Sequence, residues 1–143
     1  MAYSTDVQAA KRLAVQAHQG QIDRVGLPYI THPERVVSRL TSPQAQVVGW
    51  LHDTVEDTDV TLEEICAQFG PETTAAVDAI SRREGEAWAE YIQRVAANPL
   101  ARQVKISDLI DNSNLARLPA VTKKDVKRQG KYNQALQKLL GEE

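Results

Sequence analysis

The sequence predicts an all-α fold, a single-domain helical bundle covering residues 1–143. Three observations predict it. Apolar residues recur at i, i+3 and i+4 along most of the chain. Capping residues and Gly/Pro breakers divide it at short intervals. No segment alternates apolar and polar residues with the period of two expected of a half-buried strand. A chain of 143 residues with 42% hydrophobic and 25% charged residues is long enough, and apolar enough, to bury one core.

The elements follow in order. Val7, Ala10, Leu13, Ala14 and Ala17 mark a first helix over about 5–19, which Gly20 ends. Residues 21–31, with Gly26 and Pro28, read as a loop. His32-Pro33 opens a second helix with the stripe Val36, Val37 and Leu40. Ser42-Pro43 starts a third, whose apolar face runs through Val47, Val48 and Leu51 to Val55. Thr61 and Glu64 form a capping box before Leu62, Ile65, Cys66 and Phe69. Gly70-Pro71 closes that helix and opens another through Ile80. Further helices are expected over about 86–97, stopping before Pro99, and about 100–116, stopping before Pro119. A basic helix over about 122–140 carries Val126, Leu136, Leu139 and Leu140. That makes seven or eight helices.

Bulk properties narrow the function classes. The net charge of −2 gives no electrostatic reason to expect DNA or RNA as a partner, although a small anion remains compatible with local charge. A lone cysteine, Cys66, excludes an intramolecular disulfide and a cysteine-rich metal site. The first residues lack a basic start and apolar run, and no stretch approaches membrane-span length, so a cytoplasmic protein with no membrane partner is expected. Oligomerisation is left open.

Chemistry concentrates on few residues. The three histidines are His18, His32 and His52. His52-Asp53 interrupts the end of an apolar helix, His32 starts another, and Asp108 lies within a third. Neighbours on a helix point about 100° apart, so His52 and Asp53 can still reach one ion lying between them. Imidazole plus carboxylate suits Mn, Fe, Zn or Ni better than calcium. A structural role for each residue is the alternative. Glu56 and Asp57 follow His52 and Asp53 at i+4, and Asn112 follows Asp108 at i+4, so polar groups would stack along shared edges beside Val55, Leu109 and Ile110. Burying them unpartnered would be costly, which a metal and its substrate would relieve; the other reading makes Glu56 and Asp57 the start of an acidic loop.

Four motifs carry a resemblance. They are His18-Gln19-Gly20-Gln21, Pro28-Tyr29-Ile30-Thr31-His32-Pro33, Leu51-His52-Asp53-Thr54-Val55-Glu56-Asp57-Thr58, and Lys105-Ile106-Ser107-Asp108-Leu109-Ile110-Asp111-Asn112. In this order, over about residues 14–118, the chain resembles the HD-superfamily hydrolase domain of the bacterial RelA/SpoT proteins and their stand-alone small alarmone hydrolases. The resemblance implies an HD-type bundle holding a single Mn²⁺ through His32, His52, Asp53 and Asp108. It implies that Glu56 and Asp57 serve the hydrolytic water and that Asn112 contacts a nucleotide. The activity implied is removal of pyrophosphate from the 3′ position of guanosine tetra- or pentaphosphate (ppGpp, pppGpp), the alarmones of the stringent response.

The departures from the pattern fall on substrate contacts. Relatives acting on the alarmone usually carry Arg-Lys in the loop before Pro-Tyr-Ile, where this chain has Asp23-Arg24. Leu109 and Asp111 stand where the pattern has arginine and histidine. Arg24 and Lys105 are candidate phosphate contacts, with a solvated role as the alternative for each. Competing functions are an HD-type nucleotide phosphatase acting on another phosphorylated metabolite and a catalytically degenerate nucleotide-binding module. His18 and Cys66 read as structural, and Trp88 with Tyr91 as one packed helix face. Lys123, Lys124, Lys127, Arg128 and Lys131 form a basic run, read as a solvated face able to draw in an anionic substrate.

Overall fold

The computed structural model describes residues 2–141, with side chains from Asp6 onward. Met1, Glu142 and Glu143, counted in the single domain expected from the sequence, lie outside them. The helices are α1 (Ala2–Ala17), α2 (Thr31–Ser38), α3 (Pro43–Leu51), α4 (Thr54–Asp57), α5 (Leu62–Phe69), α6 (Pro71–Ile80), α7 (Trp88–Ala96), α8 (Pro99–Asn112) and α9 (Lys123–Gly141), with a 3₁₀ turn at Leu115–Arg117. The fold is all-α. An isolated antiparallel bridge between Ile22 and Pro28 pins the loop between α1 and α2. No helix among the described residues is long and apolar enough to cross a membrane.

Caps legible in the sequence are formed. Ser42 accepts from the Ala45 N–H ahead of Pro43, and Thr61 and Glu64 make both bonds of the capping box. Asn98 caps α8 through the Ala101 N–H. Thr122 and Asp125 cap the start of α9 reciprocally, the Thr122 N–H donating to Asp125 Oδ2 and the Asp125 N–H to Thr122 Oγ1.

The most buried helix is α3, in which Ala45, Val47, Val48, Gly49, Trp50 and Leu51 are all buried. A helix apolar all round belongs inside, and α3 packs against α1, α2, α6 and α8. At Gly49 a β-carbon would stand 2.8 Å from Leu40 Cδ1 and 2.9 Å from Val37 Cγ2. Glycine therefore permits the close approach that sets the end of α3 beside the last turn of α2. Val36, Ile65, Val77, Val95, Val104, Leu109 and Leu139 complete the core.

Several expectations are corrected. The third helix does not run on to Val55; it ends at Leu51, and a separate turn of helix starts at Thr54. The His52 Nδ1–H donates to the Gly49 carbonyl at 2.7 Å and the Thr54 hydroxyl to the Leu51 carbonyl at 2.8 Å. Side chains thus take the carbonyls of the last turn, and Asp53 turns the chain at φ −104°, ψ −1°. The helix expected to reach 116 ends at Asn112, and Asn114 caps the 3₁₀ turn after it. Cys66 is exposed rather than in the core, because the short α5 buries only Ile65 fully. Val126 and Leu140 are also exposed; α9 meets the core through Ala135 and Leu139.

Candidate active site and metal centre

The break between α3 and α4 is where the chemistry gathers. It presents His52 and Asp53 to His32 on α2 and Asp108 on α8. His52 Nε2 lies 3.1 Å from Asp53 Oδ2 and 3.5 Å from Asp108 Oδ1. His32 Nε2 lies 2.9 Å from the same Asp108 oxygen and 3.7 Å from the same Asp53 oxygen. Four residues from three separate stretches of chain thus converge on one point.

Hydrogen bonding on the far side of each ring decides what faces that point. The Gly49 carbonyl accepts from His52 Nδ1, so the proton of the neutral ring sits there and Nε2 keeps its lone pair. His52 Nε2 is buried and makes no hydrogen bond of proper geometry. His32 Nδ1 donates to Asp111 Oδ2 at 2.7 Å, which likewise turns Nε2 inward. Asp111 is itself gripped by Arg35, through Nε at 2.8 Å and Nη2 at 3.1 Å. The Tyr29 hydroxyl donates to Asp53 Oδ2 at 2.5 Å. Lys105 Nζ donates to Asp108 Oδ2 at 2.8 Å and Asn112 Nδ2 to Asp108 Oδ1 at 3.1 Å.

The electrostatics favour positive charge at the centre. Burial pulls the His32 imidazolium down, but hydrogen bonds to Asp108 and Asp111 outweigh it and raise the pKa to about 9. Burial raises Asp53, but the neighbouring His52 overrides that and holds it at about 2. Burial also works against the Asp108 carboxylate, and Lys105 with the two histidines reverses it, leaving Asp108 well below its usual range.

These residues fit a divalent metal ion. Ligands about 2.1 Å from one ion stand roughly 3–3.5 Å apart at angles near 90–110°; the spacings of 3.1 and 3.5 Å between His52 Nε2 and the two carboxylates fall in this range, and those of 2.9 and 3.7 Å from His32 Nε2 lie just outside it. His32, His52 and Asp53 each offer a ligand atom, mutually within 4.8 Å. An orphaned, buried imidazole nitrogen aimed at carboxylates is the donor set such an ion requires.

Two clefts open beside this centre. One, of about 450 Å³, lies between the loop after α1, the end of α8 and the start of α9; Asp23, Arg24, Arg117, Arg128 and Tyr132 line it, with Asn112 and Asp111 at its inner end. The other, of about 200 Å³, is walled by Glu56, Arg82, Trp88, Tyr91 and Lys105 and reaches His52, Asp53 and Asp108. Arg24 lies in the larger cleft, paired with Asp125 at 2.8 Å. Asn112 lines both clefts and Lys105 the smaller one, each with its polar end on Asp108.

Glu56 and Asp57 sit on α4, one turn beyond the centre. Glu56 Oε1 accepts from the Arg82 N–H at 2.9 Å. Asp57 is raised to about 6, by desolvation and by the nearby Asp53 and Glu56 carboxylates. Because α3 breaks at His52, both sit on their own turn of helix rather than on a continuous polar edge; Glu56 lines the smaller cleft, and Asp57 feels the charges of Asp53, His52 and His32 without lining it.

The residues that sequence reasoning missed are those behind the candidate ligands. Asp111 is 2% exposed and orients His32, yet in the sequence it reads only as a departure from a motif. Its i+3 spacing from Asp108 put it on the same helix face and was the available signal. Tyr29 stood only as part of the Pro28–Pro33 motif, and Arg35 carried no signal. Asp23 also gains a physical reason: its Oδ1 accepts from the Val25 and Leu27 N–H groups and its Oδ2 from Arg117. The acid builds the loop where the resemblance expects a base. His18 is structural, buried against the Tyr29 ring at 5.0 Å and bonded to Gln21.

Known proteins are similar to this chain in sequence and in fold. No family model matches the chain. It is 36% identical over 124 residues to a probable GTP pyrophosphokinase of Mycobacterium leprae, covering 78% of this chain and 16% of that protein. It is 30% identical over 122 residues to a guanosine-3′,5′-bis(diphosphate) 3′-pyrophosphohydrolase of Aquifex aeolicus, covering 77% and 18%. The chain therefore spans less than a fifth of the length of these relatives. Among solved structures, a metazoan ortholog of SpoT described as hydrolysing ppGpp superposes with a TM-score of 0.78 at 22% identity, covering 94% of this chain and 85% of that one. A Listeria monocytogenes protein superposes at 0.63 with 28% identity, covering 80% and 83%.

Proposed function

This chain belongs to the HD-type hydrolase domains of the RelA/SpoT family, and from that membership we propose that it is a metal-dependent cytoplasmic phosphohydrolase that removes the 3′-pyrophosphate of ppGpp or pppGpp. The observation that carries the proposal is the convergence of His32, His52, Asp53 and Asp108, with both imidazole Nε2 atoms turned inward. These four would hold one divalent ion, for which we propose Mn²⁺. When bound, such an ion supplies electrostatic stabilisation to charge on a phosphoryl oxygen and acidity to nearby water.

The chain's own residues do the rest. Asp57 takes a proton from the attacking water; Glu56, anchored by the Arg82 N–H, keeps that water in place. The water oxygen bonds to the phosphorus joined to the ribose 3′-oxygen, the P–O3′ bond breaks, and the 3′-oxygen gains a proton. The products are inorganic pyrophosphate and a nucleoside with its 5′-phosphates intact. The large cleft takes the nucleoside, with Asn112 at its junction with the reacting group. Arg24 and Arg128 present donors to the 5′-phosphates, both held by Asp125. Lys105 holds Asp108 and faces the phosphoryl group from the smaller cleft.

A turnover screen with Mn²⁺ across alarmones and common nucleotides, with products identified, tests this. Pyrophosphate released from ppGpp supports the reading. Orthophosphate from 5′-monophosphates would replace it with a nucleotide phosphatase, the alternative favoured by Asp23 standing where alarmone-binding relatives carry a base. Metal binding without any turnover would point to a degenerate nucleotide-binding module.

A further inference from the structure

The motif His18-Gln19-Gly20-Gln21 has no part in the chemistry described so far, yet its last residue reaches α4. Gly20, at φ 86°, turns the chain after α1, and the Gln21 N–H donates to the His18 carbonyl at 3.0 Å. Gln21 is then held by both its main chain and its side chain. Its carbonyl accepts from the Tyr29 N–H at 2.9 Å. Its side-chain Nε2 donates to the Asp57 carbonyl at 3.1 Å, across 36 residues of sequence. A carbonyl only accepts, so the amide presents its nitrogen to Asp57 and its oxygen to His18, where Oε1 accepts from the Nδ1–H at 2.9 Å. The His18 ring is buried and packed against the Tyr29 ring, which fixes the orientation of that amide.

The carbonyl that Gln21 takes matters because α4 is short. Thr54–Asp57 is a single turn, and a lone turn of helix is not stable by itself in water. It is closed by the Asp57 N–H on the Asp53 carbonyl at 3.0 Å and the Thr58 N–H on the Thr54 carbonyl at 2.9 Å. The Asp57 carbonyl is one of the acceptors that a helix end leaves without an intrahelical partner. Three bonds tie this turn to the rest of the chain. Thr54 Oγ1 donates to the Leu51 carbonyl, Glu56 Oε1 accepts from the Arg82 N–H, and Gln21 takes the Asp57 carbonyl. Of these three, only the Gln21 bond acts on Asp57 itself.

We propose that Gln21 is a positioning residue: by holding the Asp57 carbonyl it fixes the last residue of α4, and with it the carboxylate that takes the proton of the attacking water. Gln21 lines neither cleft, so it acts through Asp57, and His18 acts through Gln21. The role of Asp57 as proton acceptor rests on the hydrolase reading above; the hold of Gln21 on α4 does not.

Gln21→Met tests this, because it keeps the length of the side chain and removes both polar ends. Amide hydrogen exchange over residues 54–58 of the full chain, read by mass spectrometry, is expected to quicken about three- to tenfold, the scale of one lost hydrogen bond. Gln19→Ala, exposed on the same turn, should leave it unchanged. In turnover of ppGpp with Mn²⁺, Gln21→Met should lower kcat by about the same factor, with KM and bound metal unchanged. Placed on Asp57→Asn, the same substitution should cost nothing further, since no carboxylate remains to be positioned. A residue that only supports the fold would cost as much in either background, and that result would overturn the proposal. So would unchanged exchange over 54–58 in Gln21→Met. Gln21→Ala carries the same expectations and guards against misfolding of the methionine variant. Failures are separable. Turnover by the parent chain, with exchange indifferent to Gln21, removes this inference alone. Exchange that depends on Gln21, with no nucleotide turned over by the parent chain, leaves the hold on α4 standing and removes the hydrolase reading.

Discussion

Single side chains decide whether this centre takes a metal ion. His32 faces inward because Asp111 holds its Nδ1–H, and Asp111 is fixed because Arg35 grips both its oxygens. Loss of such an outer-shell partner typically costs 10–100-fold in metal affinity. Asp111→Asn is therefore expected to weaken Mn²⁺ binding by about that factor, read by equilibrium dialysis with metal analysis, while the chain stays helical. Asp53→Ala, which removes a proposed ligand, should lose the ion altogether; full metal content in that variant would contradict the assignment. Asp57→Asn should behave oppositely, keeping the metal while turnover falls about 10²–10⁴-fold. If instead it loses metal, Asp57 is a ligand and not the proton acceptor. The proposed ligands are legible in the sequence as residue types and motifs. The residues that orient them were not, because a hydrogen bond between α2 and α8 leaves no periodic trace in either helix.

At the scale of elements, the site depends on where α3 stops and how near it comes to α2. Gly49 allows that approach. Gly49→Ala would gain about 1 kcal/mol of helix propensity, but its methyl would meet Val37 Cγ2, which is stiff at χ1, at 2.9 Å. Overpacking of this kind typically costs about 1–3 kcal/mol, so a net loss of stability by denaturant titration is expected, together with weaker metal binding as His52 moves away from His32. The clasp of α9 gives an acid-sensitive element. Arg24 and the Thr122 N–H hold the Asp125 carboxylate below its usual range. A depressed folded-state pKa contributes stability above the unfolded value of about 3.9, and that contribution is lost as pH falls through the folded value. Asp125→Asn should therefore be less stable than the parent at neutral pH, with the difference shrinking below about pH 4. An unchanged difference across that range would show that the carboxylate charge contributes nothing. Helix positions were mostly legible because caps such as Ser42 and Thr61 are local signals. The break at His52 was not: Val55 continues the apolar period, and only tertiary demands on His52 and Thr54 stop the helix.

The whole molecule is a bundle wrapped around α3, with a centre that favours positive charge lying between two clefts. The larger cleft has arginines tied to aspartates, and Arg82, Trp88 and Lys105 line the smaller one. The all-α class was legible from periodicity and punctuation alone. The clefts were not, since Arg82, Trp88 and Lys105 meet only when the turn after α6, α7 and α8 pack together. The central claim is that one ion at His32, His52, Asp53 and Asp108 enables hydrolysis. The most direct test titrates Mn²⁺ into chelated protein and follows pyrophosphate release from ppGpp against bound metal. Release absent at zero occupancy, rising in proportion and saturating at one ion per chain, is the predicted result. Release by the metal-free chain, or release that begins only after a second ion binds, would contradict it.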